Sequence, residues 1–253
     1  MTATVRWEEM LPREFHARLR QQPLVYLPMG LCEPHGHPAA FGLDTFKADW
    51  LCEQAAHRFG GIVAPTQGYQ IHETGYHRPW LAEVMGDVNP RLGSVPPDLI
   101  LRMLTYQLRA FVNAGFGGMV VLTGHHGNQH DLRLVASEVM ASRPVRIITV
   151  SDPELVRGLY EGDHAGRYEV SQLMHIRPDL VDLERVGDVS SELGRFAQGG
   201  DAAEATAEHG RAVLEAALEE LGRRIQAAQP FDGEIEPLSM EETEEIWSRV
   251  AAR

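Results

Sequence analysis

The chain is poor in cysteine, in long apolar runs and in positive charge, and each of these deficits excludes a class of protein. Its two cysteines, Cys32 and Cys52, are too few for the disulfide framework of a small secreted domain. No apolar run approaches the roughly 20 residues that span a bilayer, and the N-terminus shows no signal pattern. We therefore expect a cytoplasmic protein with reduced thiols and no membrane partner.

Acidic residues outnumber basic ones by 36 to 23, which gives a formal net charge of −13. Because nucleic-acid binding depends on a cationic surface, this balance argues against a nucleic-acid partner. Much of the acidic excess lies near the C-terminus, where we expect the Glu-rich run 241–245 to form a solvated helix face.

Strands and helices alternate along the chain, which indicates one α/β domain over residues 1–253. Short apolar runs predict strands at residues 24–27, 62–64, 119–122 and 145–150. Helical spacing of apolar residues predicts helices at 45–59, from 97, from 129 to about 142, at 164–175 and at 202–228. This alternation predicts a three-layer α/β/α sandwich with a mostly parallel central sheet.

A less regular stretch at about 67–95 interrupts the alternation and is rich in glycine and polar residues. Loops of this length are often lids or binding elements, so we expect a substrate loop here. Its candidate substrate-binding residues are Tyr76, His77 and Trp80, and the same stretch also carries His72, Glu73 and Arg78.

The first cluster of chemically active residues follows the first predicted strand, on a Gly- and Pro-rich turn. Glu33, His35 and Asp44 lie between this strand and the next helix, where open α/β sheets keep their sites. Two carboxylates and an imidazole can converge on a divalent metal ion. The alternatives are a loop with incidental polar residues, or a hydrolase that uses Cys32 as its nucleophile.

Two more His and carboxylate clusters follow later strands. In the first, residues 123–128, we expect His125 to be a metal ligand and His126 to face the substrate, with Asn128 capping the next helix. In the second, residues 162–171, a turn before the helix would let His164 and Glu169 reach one cavity. Asp163 is placed to accept the second N–H of His164.

Together the three clusters resemble the signatures of the creatininase family of metal-dependent amidohydrolases. The family's Glu-x-His-Gly, with an Asp eleven residues after the Glu, is matched by Glu33, His35 and Asp44. Its Asn-Gly-His-Gly-Gly-Asn is similar to residues 123–128, and its His-Ala-Gly-Glu-x-Glu-Thr-Ser to residues 164–171. A late stretch, residues 205–211, resembles the family's Ala-x-Ala-Glu-Lys-Gly-Arg, so the likeness covers most of the chain.

The chain departs from the family pattern at positions that leave every implied metal ligand in place. A second histidine usual in the first motif is replaced by Pro38, with His37 one position earlier. Thr123, His126 and Arg167 replace the family's Asn, Gly and Glu. We expect these positions to contact the substrate, so the departures bear on which substrate is bound and not on the metal chemistry.

The resemblance implies two divalent ions per chain, of Zn, Mn or Fe. It assigns Glu33 and His125 to one ion, His35 and Glu169 to the other, and Asp44 to both. It implies that a metal-bridging hydroxide attacks the substrate, with His164 as proton shuttle beside Glu169. His126 and Asp163 would join the loop residues in binding the substrate.

The function implied is hydrolysis of a C–N bond in a small, cyclic amide, as in creatinine amidohydrolases. One alternative is hydrolytic C–C ring opening of a keto-cyclitol or sugar-derived cyclic ketone, and a second is a non-catalytic metal-binding subunit. Family members tend to assemble, so we expect a homo-oligomer, with a hexamer favoured, acting on a small-molecule substrate.

Overall fold

The computed structural model describes residues 4–71, 95–187 and 196–253. Within them the strands are β1 Leu24–Met29, β2 Ile62–Val63, β3 Gly118–Thr123 and β4 Arg146–Ser151. The helices are α1 Pro12–Gln21, α2 Leu43–Phe59, α3 Pro97–Ala114, α4 Gln129–Ser142, α5 Asp152–Leu155, α6 Arg167–Ile176, α7 Ala207–Ala227 and α8 Met240–Ala251. The four predicted strands are confirmed, with bounds that move by a few residues.

The described strands form one parallel sheet in the order β2-β1-β3-β4. Strands β1 and β3 are buried along their whole length, as expected for parallel strands covered on both faces. In register, Met29 pairs with Thr123 and Thr123 pairs with Ser151. These three strands therefore end in line, and the segments that follow them leave from one edge of the sheet.

Alternate strand residues supply two hydrophobic cores, one on each face of the sheet. Val25, Leu27, Met119 and Val121 pack in the core that includes α3, α4 and α8. On the other face, the core combines strand residues with α2, α6 and α7, and its buried strand members are Leu24, Tyr26, Val63, Val120, Leu122 and Val150. The predicted three layers, with helices on both faces, are confirmed.

Two helix starts differ from prediction for local reasons. The predicted helix at 164–175 begins at Arg167, because Ala165 adopts a positive φ of 52°. The predicted helix at 202–228 begins at Ala207, after a short 3-10 turn at Ala202–Glu204. Thr206 caps α7 by accepting the His209 backbone N–H at 3.1 Å.

The predicted substrate loop at about 67–95 falls largely on residues 72–94, which lie outside the described residues. Its two flanks are described, and they meet: the Val95 backbone N–H donates to the Gln70 carbonyl at 3.0 Å. Asn128 holds the same flank, since its Nδ2 donates to Gln70 Oε1 and to the Ile71 carbonyl. No helix in the three described parts of the chain is both long and apolar enough to cross a membrane.

Candidate metal centre

Three segments carry the candidate ligands to the edge where β1, β3 and β4 end. The segment after β1 supplies Glu33 and His35, and the first turn of α2 supplies Asp44. His125 follows β3 by two residues, and Glu169 lies in the first turn of α6. These five side chains are all buried, with relative exposures between 1% and 6%.

Two glycines let the start of α2 approach the strand ends closely. A Cβ on Gly124 would lie 2.1 Å from the Asp44 carbonyl oxygen, and one on Gly30 would lie 2.2 Å from Thr45 Cα. Both obstacles are backbone atoms, so any side chain there would push the helix away from the sheet. The glycines therefore fix how near Asp44 comes to His125.

One group of ligand atoms joins Glu33, Asp44 and His125. His125 Nδ1 lies 2.7 Å from Glu33 Oε1 and 3.6 Å from Asp44 Oδ2. A second group joins His35, Asp44 and Glu169. There, His35 Nε2 lies 3.4 Å from Asp44 Oδ1 and 3.6 Å from Glu169 Oε2. Asp44 thus belongs to both groups through different oxygens.

The donor atoms of this cluster fit a divalent metal. His35 Nδ1 lies 3.0 Å from the Glu33 carbonyl, which directs Nε2 toward the carboxylates, the arrangement common for metal-binding histidines. His35 Nε2 and both Asp44 carboxylate oxygens are buried and have no hydrogen-bond partner among the described residues. Buried polar atoms left in this way are costly unless something coordinates them. A mixed nitrogen and oxygen set suits Zn²⁺, Mn²⁺ or Fe²⁺.

The carboxylates control the protonation of both histidines. Burial alone would lower the pKa of His35, but Asp44, Glu169 and Glu33 outweigh it and raise that pKa to about 9. Burial also opposes the charge of His125, and Glu33 and Asp44 raise its pKa to about 10. In return, the two imidazoles hold the pKa of Asp44 below its ordinary value despite burial. The cluster therefore attracts positive charge strongly.

His164 lies at the mouth of the cluster. Its ring stacks on His35 with centroids 4.9 Å apart, and its Nδ1 lies 4.0 Å from Glu33 Oε1. Its Nε2 lies 3.0 Å from the Pro34 carbonyl oxygen. Glu33, His35 and His164 also form a third group of possible ligands, so the geometry allows either a ligand or a proton-transfer role.

Asp163 does not hold His164 as predicted. Its carboxylate accepts the backbone N–H groups of Gly166, Tyr168 and Glu169 at 3.1, 2.7 and 3.3 Å, which caps the start of α6. The carbonyl of Pro34 takes the His164 contact instead. Burial and the nearby Glu169 charge raise the pKa of Asp163 to about 6, although these N–H groups oppose the shift.

A cavity of about 920 Å³ opens onto the cluster and has room for a small molecule. Glu33, His125, His164 and Glu169 line it, and so do His126 and Asp163. His126 is exposed, with Nδ1 3.0 Å from Ser151 Oγ and 2.9 Å from Gln129 Nε2.

Of the remaining residues named from the sequence, Asn128 differs from its prediction. Asn128 stands at the N-cap position of α4, but its side chain makes no cap hydrogen bond and binds the segment before residue 72 instead. Arg167 is exposed, as is His37, whose ring stacks on Phe196. The predicted substrate residues Tyr76, His77 and Trp80 lie outside the described residues.

A buried polar group that was not predicted from the sequence lies next to the candidate ligand Glu169. Lys47 Nζ lies 2.7 Å from Glu169 Oε1 and 3.3 Å from Asp152 Oδ2, and the Tyr168 hydroxyl donates to that Asp152 oxygen at 2.9 Å. Burial lowers the pKa of Lys47, but Asp152, Glu169 and Asp44 outweigh it and raise that pKa. Burial raises the pKa of Asp152 to about 6, which Lys47 opposes.

The family model described as creatinine amidohydrolase matches residues 8–225. The chain belongs to the creatininase family. Creatinine amidohydrolase of Pseudomonas putida is 28% identical over 213 residues, which cover 74% of this chain and 78% of the relative. The 3-dehydro-scyllo-inosose hydrolase of Thermotoga maritima is 30% identical over 121 residues, covering 48% of this chain and 36% of the relative.

Solved creatininase structures share the fold of this family member. A manganese form has a TM-score of 0.76 at 21% identity, covering 90% of this chain and all of that one. A variant of the zinc–zinc type has a TM-score of 0.74 at 22% identity, with the same coverage. These likenesses confirm the predicted creatininase-like α/β fold, and membership of the family confirms a hydrolase of the amidohydrolase type, which acts on C–N bonds.

Proposed function

We propose that this creatininase-family hydrolase holds two divalent ions and cleaves a C–N bond of a small, cyclic amide. The observation that carries the proposal is the position of Asp44, whose two oxygens face different pairs of ligands. Glu33 and His125 would hold one ion, and His35 and Glu169 the other, with Asp44 serving both. Zinc, manganese or iron would suit this set.

When bound, such a pair of ions would turn a bridging water into a hydroxide at neutral pH and polarise the substrate carbonyl. His164 is placed to move the proton: its Nδ1 faces Glu33 from the mouth of the cluster and its ring lines the cavity. It would take a proton from the attacking group and deliver it to the leaving nitrogen. Glu169, in the same cavity wall, keeps its carboxylate beside the reacting atoms.

His126 and Asp163 are the described residues that we propose as substrate contacts, since both line the cavity without belonging to a ligand group. Partial desolvation of the solvent-facing His126 ring, with His125, Arg157 and Lys47 nearby, lowers its pKa below the ordinary value, so a neutral ring would face the substrate. Tyr76, His77 and Trp80 complete the proposed contacts from the segment 72–94.

Hydrolytic C–C ring opening of a keto-cyclitol is the second candidate. The favouring observation is the likeness to 3-dehydro-scyllo-inosose hydrolase, although this chain spans about a third of that relative's length. The same ligands and the same proton shuttle would serve either bond, because both reactions begin with attack on a polarised carbonyl.

We further propose a small molecule as the substrate and a homo-oligomer, with a hexamer favoured, as the working assembly. The cytoplasm is the proposed location, in keeping with Cys32 and Cys52, which are both free thiols. On the described surface, Leu99 and Met103 expose apolar side chains one turn apart on α3, which would suit a contact between subunits.

Elemental analysis of the purified protein tests the proposal, with turnover measured before and after chelation on cyclic amides, formamides and keto-cyclitols. We expect about two ions of Zn, Mn or Fe per chain and chelation-sensitive hydrolysis of one substrate class. Protein that contains no metal and stays inert after addition of Mn²⁺ or Zn²⁺ would refute it. A Cys32→Ser variant serves as control, because it should keep full activity.

A further inference from the structure

Lys47 is the single lysine of the sequence, and the other 22 of the chain's 23 Lys and Arg residues are arginines. It is also fully enclosed, with a relative exposure of 1%, one helical turn after Asp44 on α2. A buried cation is costly unless it is paired, and an ammonium is a compact charge with three donors, unlike the planar guanidinium. The one lysine therefore places a compact ammonium group at a fully buried position.

The Lys47 ammonium meets three buried carboxylates. Its Nζ donates to Glu169 Oε1 at 2.7 Å, and lies 3.3 Å from Asp152 Oδ2 and 3.7 Å from Asp44 Oδ1. Among the described residues that line the cavity, Lys47 does not occur, so it reaches a substrate only through these carboxylates.

Glu169 is held at both oxygens, in different ways. Oε1 is taken by Lys47, whereas Oε2 accepts the Ala165 backbone N–H at 2.9 Å and lies 3.6 Å from His35 Nε2. Oε2 is therefore the Glu169 oxygen that lies beside His35 in the second group of ligand atoms. A carboxylate can bind a metal through one oxygen or through both.

We propose that Lys47 is a positioning residue which occupies one oxygen of Glu169, so that Glu169 offers a bound ion a single oxygen. The proposal rests on the proposed function and deepens it. Catalytic metal sites keep a coordination position open for water or substrate. By withholding Glu169 Oε1, Lys47 keeps a protein ligand out of that position.

Loss of the ammonium group should strengthen metal binding in two ways. Glu169 Oε1 becomes available as a further ligand, and a positive charge that repels the ion disappears. The ion held by His35, Asp44 and Glu169 should therefore bind more tightly and with more protein ligands, while turnover falls. A lysine that merely supports the fold would produce neither of these changes in the ion.

The test compares the full-length wild type with Lys47→Met, both loaded with Co²⁺, by d–d absorption and by stepwise metal titration. We expect weaker absorption from the second Co²⁺, as its coordination number rises, and a dissociation constant lower by about ten-fold or more. A spectrum identical to the wild type, or weaker binding with an unchanged spectrum, would overturn the proposal.

A double variant tests whether Lys47 acts through Glu169 or through Asp152. It also lowers the risk of misfolding, because it does not leave Asp152 as an unpaired buried charge. Lys47→Met with Asp152→Asn removes the cation together with one buried carboxylate, and should show the same change in the Co²⁺ spectrum. A wild-type spectrum in this double variant would mean that Lys47 acts through Asp152, contrary to the proposal. Wild-type protein that takes up no Co²⁺ would refute the proposed function itself, whereas unaffected variants beside a two-metal wild type refute only the role of Lys47.

Discussion

Asp44 is the residue on which the proposed centre depends most, because its two carboxylate oxygens face different groups. Its first oxygen lies 3.4 Å from His35 Nε2 and its second 3.6 Å from His125 Nδ1. Burial removes both from water without giving them a hydrogen bond within the described parts of the chain. Such a group is stable only beside positive charge, supplied here by protonated histidines or by metal ions.

Asp44→Asn should abolish metal binding and turnover together. An amide has one oxygen and no charge, so it cannot serve two ions, although it keeps the size of the side chain. Elemental analysis measures the metal content of Asp44→Asn, and an assay of the same preparation measures its turnover. Asp49→Asn is the matched control on the same helix, because Asp49 pairs with Arg6 and lies in no candidate ligand group. Two ions retained in Asp44→Asn would contradict the shared role.

His164→Ala should keep the metal and lose most of the turnover, by about 10²–10⁴-fold, as expected for a general acid–base group. The reason is that the ring stacks on His35 at the mouth of the cluster, while the two groups that share Asp44 are complete without it. Metal content and kcat, both measured on one preparation of His164→Ala, test this prediction. Loss of an ion would assign His164 to the ligands instead.

Lys47 was not predicted as a site residue, although the composition of the chain contained a signal for it. The family signatures led to Glu33, His35, Asp44, His125 and Glu169, which the structure brings together. Lys47 belongs to no motif, yet it is the only lysine beside 22 arginines, a contrast that composition alone displays. Asp44 is a local partner on the same helix, but Asp152 and Glu169 come from α5 and α6, so no local pattern could name those two.

At the scale of the elements, the site depends on how closely α2 approaches the ends of β1 and β3. The alternation of short apolar runs with helical spacing predicted these elements, since both patterns are local. Helical spacing alone placed the start of α6 at residue 164, whereas the turn predicted before Glu169 is confirmed by the left-handed Ala165 and by the Asp163 cap. Both features place Glu169 in the first turn, with its carboxylate toward His35.

Gly124→Ala should displace α2 and weaken metal binding, because its Cβ would meet the Asp44 backbone. We expect a loss of about 1–3 kcal/mol in the free energy of unfolding, as for other overpacked sites. Urea unfolding and metal titration measure the two effects. Gly200→Ala is the control, since nothing lies within 4 Å of a Cβ there. Equal metal affinity in both variants would contradict the close-approach argument.

The cap of α8 predicts a pH dependence of stability. The Ser239 backbone N–H and the Arg143 guanidinium lower the pKa of Glu242 from 4.5 to about 2. Since the folded pKa is depressed, the stabilisation is present above pH 4.5 and is lost as the pH falls toward 2. The stability difference between wild type and Glu242→Gln, measured by urea unfolding, should narrow over this range.

At the scale of the whole molecule, two hydrophobic cores fix the sheet rigidly between helix layers. The aligned ends of β1, β3 and β4 then hold residues from distant parts of the sequence within ligand distance of one another. Among the described residues, the candidate ligands of both groups thus lie on one face of the fold.

We predict an assembly of six chains in solution, each of 28.2 kDa. Light scattering coupled to size-exclusion chromatography measures the mass directly, and a mass of six chains would agree with the prediction. Because the candidate ligand groups found among the described residues lie within one chain, we expect dissociated protein to bind its metal ions. A particle of one chain's mass at every concentration would contradict the assembly.

The layers, the four strands of the described residues, the family and the ligand candidates could all be predicted from the sequence, because they depend on local periodicity and short motifs. The alignment of Met29, Thr123 and Ser151, which brings Glu33 and His125 within 2.7 Å of each other, emerges only from the folded structure. The folded structure also decided that Asp163 caps a helix and that Lys47 lies behind Glu169. Strand register and helix packing set these distances, and both arise from contacts between residues far apart in the chain.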